Sequence, residues 1–345
     1  MKHVSRFLSA LVFVLAVFCG FVLIWSVEKL PPAEVRFAKT AITDPLESNV
    51  PKTGESTVLS RLSMFPLWGK KKGIVSVMVE NHQAARPFHR GLSDALLIEE
   101  FFVEGYITRF NVLFDVKDFP ERVGPVRSLR PYFIDGVLPW VSVFFHFGGS
   151  PEALERVGQL KGVTAFNGIF YDTYFTRAKD IPAPHDAFLT RESMRELLQE
   201  AEGGVTPVPW PPYKTGRARS GSGATTMTIN FFSPLHNVEY VYDSWKRGYI
   251  RTNGEEVSLA VPHNVLILET DVEDTGEFGR LAIRVQGKGE ALLFRSGRMY
   301  RGRWSKKSPT DSYVFTDTEG DPLVFASGQT WVTVMDSLSR VKWEE

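Results

Sequence analysis

The sequence predicts an α/β N-terminal domain followed by a smaller all-β domain, sandwich or barrel-like, behind an N-terminal transmembrane helix. Three observations predict it. An uncharged apolar run, residues 7–26, opens the chain. From 73 to 202, β-branched and aromatic runs alternate with helical patterns that carry caps. From 224 to 343, short β runs follow one another with glycine turns between them and no helical period.

The run FLSALVFVLAVFCGFVLIWS is long enough, at about 1.5 Å per helical residue, to cross a bilayer core of about 30 Å. Lys2, His3 and Arg6 precede it, whereas Glu28 and Lys29 behind it cancel. The positive-inside rule then leaves the N-terminus in the cytoplasm and the bulk of the chain outside. No small-x-small site follows Ser26, as a cleaved signal would require. Phe18 is too bulky a neighbour for a lipidated Cys19, so an uncleaved signal anchor is the reading. Cys19 is the one cysteine, which rules out an intramolecular disulfide and any Cys-based metal site. Lys plus Arg and Asp plus Glu both number 40, so no overall field attracts nucleic acid, and none is expected as a partner.

Residues 27–72 hold Pro31, Pro32, Pro45 and Pro51 among small polar residues, the composition of a tether. Ile74–Val79 and Thr108–Val116 read as strands, and Gly91–Phe102 turns from helix-like to β-like. Arg130–Leu138 reads as a helix and Val141–Phe147 as a buried strand ending in Gly148-Gly149-Ser150. Pro151–Leu160 starts as a helix should, with Ser150 as cap, Pro151 at the first position and Glu152 in the first turn. Thr190 caps a further helix over Arg191–Glu200. The prolines and the GRARSGSG stretch of 203–223 read as an interdomain linker. Beyond it, TTMTINFF, VEYVYD, HNVLILETDV, EALLFRS and TWVTVM are β runs, with Asn253-Gly254, Ser296-Gly297 and Glu319-Gly320 as turns.

The chemistry-bearing stretch is Glu99–Tyr132. Arg109, Arg127 and Arg130 are its cations, and Glu99, Glu100, Glu104 and Asp135 lie near in sequence. Arg127 and Arg130 are three apart, so on a helix they would share a face, and two guanidinium forks can clasp a carboxylate or phosphate. Glu104, Ser128 and Asn81 complete the candidate ligand-binding set. The opposing reading pairs these arginines with Glu99, Glu104 or Asp135 as internal ties. His146 at a strand end, with His185 and Asp186, are candidate acid/base groups. No two of the histidines His82, His89, His146 and His185 have the HxxxH spacing of a metal site, and Gly148-Gly149-Ser150 lacks the Gly-Lys-Ser/Thr of a P-loop. Neither a metal nor a cofactor is expected.

Several segments together carry a resemblance. They are Val77-Met78-Val79-Glu80-Asn81, Ala85-Arg86-Pro87, Gly124-Pro125-Val126-Arg127-Ser128, Arg130-Pro131-Tyr132-Phe133 and Gly148-Gly149-Ser150-Pro151, then Gly302-Arg303-Trp304 and Gly328-Gln329-Thr330-Trp331. With Ala183-Pro184-His185, where Asp186 replaces the family's usual Asn, they make residues 74–343 similar to the YerB family of bacterial lipoproteins, which has two domains of unknown function. The resemblance implies an extracytoplasmic, membrane-attached protein and no known reaction. The functional expectation is a cell-envelope binding or scaffold protein that recognises an anionic group through the arginines, with a wall polymer or an envelope protein as partner. The alternative is a hydrolase of an envelope polymer with His146 and His185 as acid and base.

Overall fold

Strand β1 (Lys70–Glu80) follows from the apolar run at its centre, and every residue from Gly73 to Glu80 is buried. A strand so enclosed needs neighbours on both edges and cover on both faces. β3 (Thr108–Asp115) supplies an antiparallel neighbour, Val77 opposite Val112. Val143–His146 supplies a parallel one on the other edge, Val77 opposite Phe145. β2 (Leu97–Phe102) pairs antiparallel with β3. The structure, a computed structural model, describes residues 70–217 and 221–345.

The expected pair of separate sheets is corrected by the sheet order. Thr330–Met335, from the C-terminal half, lies parallel to the free edge of β2, with Ile98 opposite Trp331. Its other edge pairs with Asn264–Glu269, and the sheet continues through Gly287–Arg295 and Arg298–Lys306. One sheet of twelve strands therefore runs through both halves, and the described residues fall into a single compact unit. The chain is mostly β rather than α/β followed by all-β. The cause is local: each half alone would leave a fully buried strand with an open edge, and each closes the other's.

Three helices are present among the described residues, α1 (Pro131–Val137), α2 (Pro151–Gln159) and α3 (Arg191–Glu200). Their starts are those the sequence marks. Ser150 accepts the amide of Ala153 at 3.3 Å and Thr190 that of Ser193 at 3.1 Å. Leu92–Asp94 is only a 3-10 turn before β2. The segment 203–223 contributes to the sheet, since Pro207–Trp210 pairs with the start of β1. A five-stranded antiparallel sheet built from Thr226–Ile229, Val238–Asp243, Gly248–Asn253, Glu256–Val257 and Val341–Glu344 packs on the large one through Phe231 on Phe102 and Trp343 on Phe294. The expected transmembrane segment 7–26, and residues 27–69 of the expected tether 27–72, lie outside the described residues, while Lys70, Lys71 and Lys72 open β1 rather than end a tether. Among the described residues no helix is long and apolar enough to cross a membrane.

Candidate functional site

β1 and Val143–His146 run parallel, and binding groups of such sheets gather where the C-terminal ends of parallel strands part. Here the crevice is filled by the chain itself. Residues 126–129 run extended between the two ends: Arg127 donates its amide to the Met78 carbonyl and accepts the amide of Phe147 on its own carbonyl. This segment carries three of the predicted residues, Arg127, Ser128 and, one step on, Arg130. Arg130 is not the second residue of a helical face but the N-cap of α1, in extended conformation.

The cluster forms around that segment. Arg127 makes a two-pronged pair with Glu80, at 2.7 Å from Nε and 2.8 Å from Nη2. Arg130 pairs with Glu104 at 2.6 Å. Arg109 donates to the Ser128 carbonyl at 2.8 Å, and the Ser128 hydroxyl donates to the Phe147 carbonyl at 3.0 Å. Three guanidiniums thus stand around one loop with two carboxylates, Glu80 and Glu104, paired to two of them. Burial, with the repulsion of Arg130, pushes Arg109 down to about 10, so it remains a cation at neutral pH. Asn81 stands apart from this group, bonded to Thr108 at 2.6 Å and Asn253 at 2.8 Å.

The histidines divide. His146 is buried, its Nδ1 within 2.7 Å of the Gly148 carbonyl, and burial lowers it to about 4. His185 has its Nδ1 2.8 Å from Glu80 Oε2, and the His82 ring stacks on it at 5.5 Å. The carboxylate holds the Nδ1 proton, which leaves Nε2 of His185 as the acceptor nitrogen. Asp186 pairs with Arg177 at 2.7 Å rather than with either histidine. No hydrogen bond or ring contact joins His146 to His185. Glu80, the hub of the arrangement, was not singled out from sequence. Its signal was position: a carboxylate closing the buried run of β1.

Arg130 opens onto a cleft of about 500 Å³ between the two halves. One wall is Arg130 to Tyr132, Asp135, Ser150 and Glu152; the other is the hairpin segment around Arg280–Gln286. That second wall contributes the apolar Leu281, Ile283 and Val285, and charged groups of both signs line the cleft as well. Clefts of this size at the junction of two halves are usual for ligand sites. Among the described residues no group of three or more His, Cys, Asp or Glu side chains could hold a metal ion.

Comparison with known proteins gives the following. Residues 68–204 match the family described as "Protein of unknown function (DUF3048) N-terminal domain", and residues 227–332 match its C-terminal domain. "Putative lipoprotein YerB" of Bacillus subtilis is 28% identical over 275 residues, 76% of this chain and 81% of the relative. The crystal structure of YerB protein from Bacillus subtilis superposes with a TM-score of 0.71 at 25% identity, covering 85% of this chain and 97% of that one.

Proposed function

We propose, from the premise that the chain belongs to the DUF3048 family, that it is an extracytoplasmic, membrane-attached binding protein of the cell envelope that recognises an anionic group beside Arg109 and Arg130. The name of its Bacillus subtilis relative, a lipoprotein, supports the location and the attachment. The observation that carries the binding reading is the count of charges around residues 126–130: three guanidiniums and two carboxylates, with Arg130 facing the cleft between the halves. A ligand oxyanion there would replace Glu104 on Arg130 and complete the neutralisation of Arg109. An anionic wall polymer fits that chemistry, with its apolar parts against Leu281 and Ile283.

Two substitutions with opposite expected signs test this. Arg130→Gln removes the cation and should weaken capture of purified cell wall by the full-length protein. Glu104→Gln frees Arg130 and should strengthen capture by up to about fivefold, the range of one partly exposed ion pair. Capture that responds to neither change would refute the site.

A second reading, hydrolysis of an envelope polymer, is favoured by one observation, the carboxylate-oriented His185. It would use Glu80 and His185, with Nε2 as general base, and not His146. His185→Asn should then abolish release of soluble fragments from wall polymer while leaving capture intact. Fragment release that survives the substitution would end this reading.

A further inference from the structure

A second cavity, of about 170 Å³, lies away from the arginine loop, between the turn at Asn81–Leu92 and the strands Gly248–Asn253 and Glu256–Val257. Two of its lining residues are arginines buried almost completely, Arg86 at 6% exposed and Arg251 at 2%. The one fully buried carboxylate near them, Glu100, is already occupied. It accepts from Arg251 Nη2 at 2.8 and 3.0 Å, from Trp331 Nε1 at 2.8 Å and from the Thr108 hydroxyl at 2.7 Å.

Arg86 has no carboxylate of its own. Its nitrogens go to the carbonyls of Leu235 at 2.6 Å and Asn253 at 3.0 Å, to Asn81 at 3.3 Å, and to His236 Nδ1 at 2.6 Å. Burial, and then the neighbouring Arg251, lower it to about 10, so it is still charged at neutral pH. Arg251 is held rigidly, its guanidinium 4.4 Å from the Trp331 ring and its Nε on the Tyr240 hydroxyl at 3.2 Å. With Nε and Nη2 engaged, Nη1 is the nitrogen left for an occupant of the cavity that Arg251 lines. The interior thus holds two guanidiniums and one carboxylate. An unneutralised charge kept out of water costs several kcal/mol, and a bound anion removes that cost.

We propose that this cavity binds the oxyanionic head of a small ligand, a carboxylate or phosphate, between Arg86 and Arg251, with a short apolar tail toward the rim. The volume equals about six waters, enough for a head group of that size and little more. The rim carries Val257 and Leu259, 62% and 71% exposed, which suits a tail of a few carbons. Glu256 also lines the mouth and sets a selection, admitting ligands whose charge is held deep rather than at the opening. This site is separate from the one around residues 126–130, and the two can fail independently.

The test is calorimetric titration of the full-length protein, in low-chloride buffer, with acetate, hexanoate and inorganic phosphate. The expected result is saturable binding of at least one oxyanion, with hexanoate tighter than acetate if carboxylates are taken. Preference for phosphate over hexanoate identifies a phosphorylated head, and the reverse identifies a carboxylic acid. Two exposed positions give the control without touching the buried groups. Glu256→Gln should tighten binding by about three- to tenfold, and Val257→Glu should weaken it by a similar factor, as expected for one charge near a partly shielded site. Arg130→Gln should leave it unchanged. No saturable heat with any of the three anions, or an affinity that neither mouth substitution moves, would overturn the proposal.

Discussion

Glu99 and Glu100, adjacent in β2 and both buried, point to opposite faces of the sheet, as strand alternation requires. Glu100 meets Arg251 and is paired. Among the described residues Glu99 hydrogen-bonds the amide of Asn111, at 2.9 Å, and burial raises it to about 8 even though that bond and then Lys306 oppose the rise. Its carboxyl is therefore protonated in the fold at pH 7, whereas in the unfolded chain it ionises from about 4.5. The stability it confers is complete below that value and drains away as pH rises through 8. Glu99→Gln, which keeps an acceptor and cannot ionise, should add on the order of 4 kcal/mol at pH 8 and almost nothing at pH 4.5. Urea unfolding at both values checks this, and an equal gain at the two would refute it. His146 and His89, each lowered to about 4 by burial, act in the other direction: their contribution is present above about 6.5 and lost as pH falls through 4. None of this was legible in the sequence. The sequence offered Glu99 as a partner for the arginines, and only the strand on the far side explains why it and Glu100 are enclosed.

At the scale of elements, the helices were the readable part. Ser150 with Pro151, and Thr190 with Arg191, mark helix starts by a chemistry that acts within four residues, so one sequence suffices to see it. The strand Thr330–Met335 was readable in kind and not in place. Six consecutive buried residues without polar alternation mean a strand covered on both faces, but nothing in TWVTVM says that its neighbour is β2. Trp331 shows what the placement is worth. Its ring packs on Phe110 at 5.0 Å, and its Nε1 serves Glu100. Trp331→Phe should cost about 1–2 kcal/mol through the lost donor, and Trp331→Ala about 3–5 kcal/mol through the added cavity. Chemical denaturation of the two variants separates these contributions. Equal losses would mean that the hydrogen bond to Glu100 dominates the site.

At the scale of the molecule, the expectation of an α/β domain and an all-β domain was overturned by the pairing of β2 with Thr330–Met335 and by the Glu100–Arg251 ion pair beneath it. The arginine loop was partly legible. Arg109, Arg127, Ser128, Arg130 and Glu104 do come together, because the loop's residues follow closely in sequence and bond to the ends of neighbouring strands. His185 was named as an acid/base candidate but beside His146 and Asp186, and its actual partner Glu80 was beyond reach, because long-range pairing brings the two together. A shared sheet makes a thermodynamic statement. Residues 70–345 should unfold in one transition, with fluorescence from Trp140 and Trp210 in one half coinciding with that from Trp304 and Trp343 in the other. Variants that keep only one of these pairs among the eight tryptophans of the chain give each signal separately. Two resolved midpoints would show that the halves are stable apart. The N-terminal half expressed alone, through residue 204, should lack fixed tertiary structure in the near-ultraviolet circular dichroism spectrum.

The same strand pairing sets an order of events in biosynthesis. β2 is made early, and the partner that covers its edge comes more than two hundred residues later, near the C-terminus. Until that stretch has emerged, the nascent chain presents an unsatisfied row of backbone donors and acceptors on an apolar strand, which is a template for aggregation. Contacts so far apart in sequence also form slowly. A chain of this kind gains nothing from folding its first half as it emerges. Fixed structure should appear only once the central strand has emerged and closed the sheet.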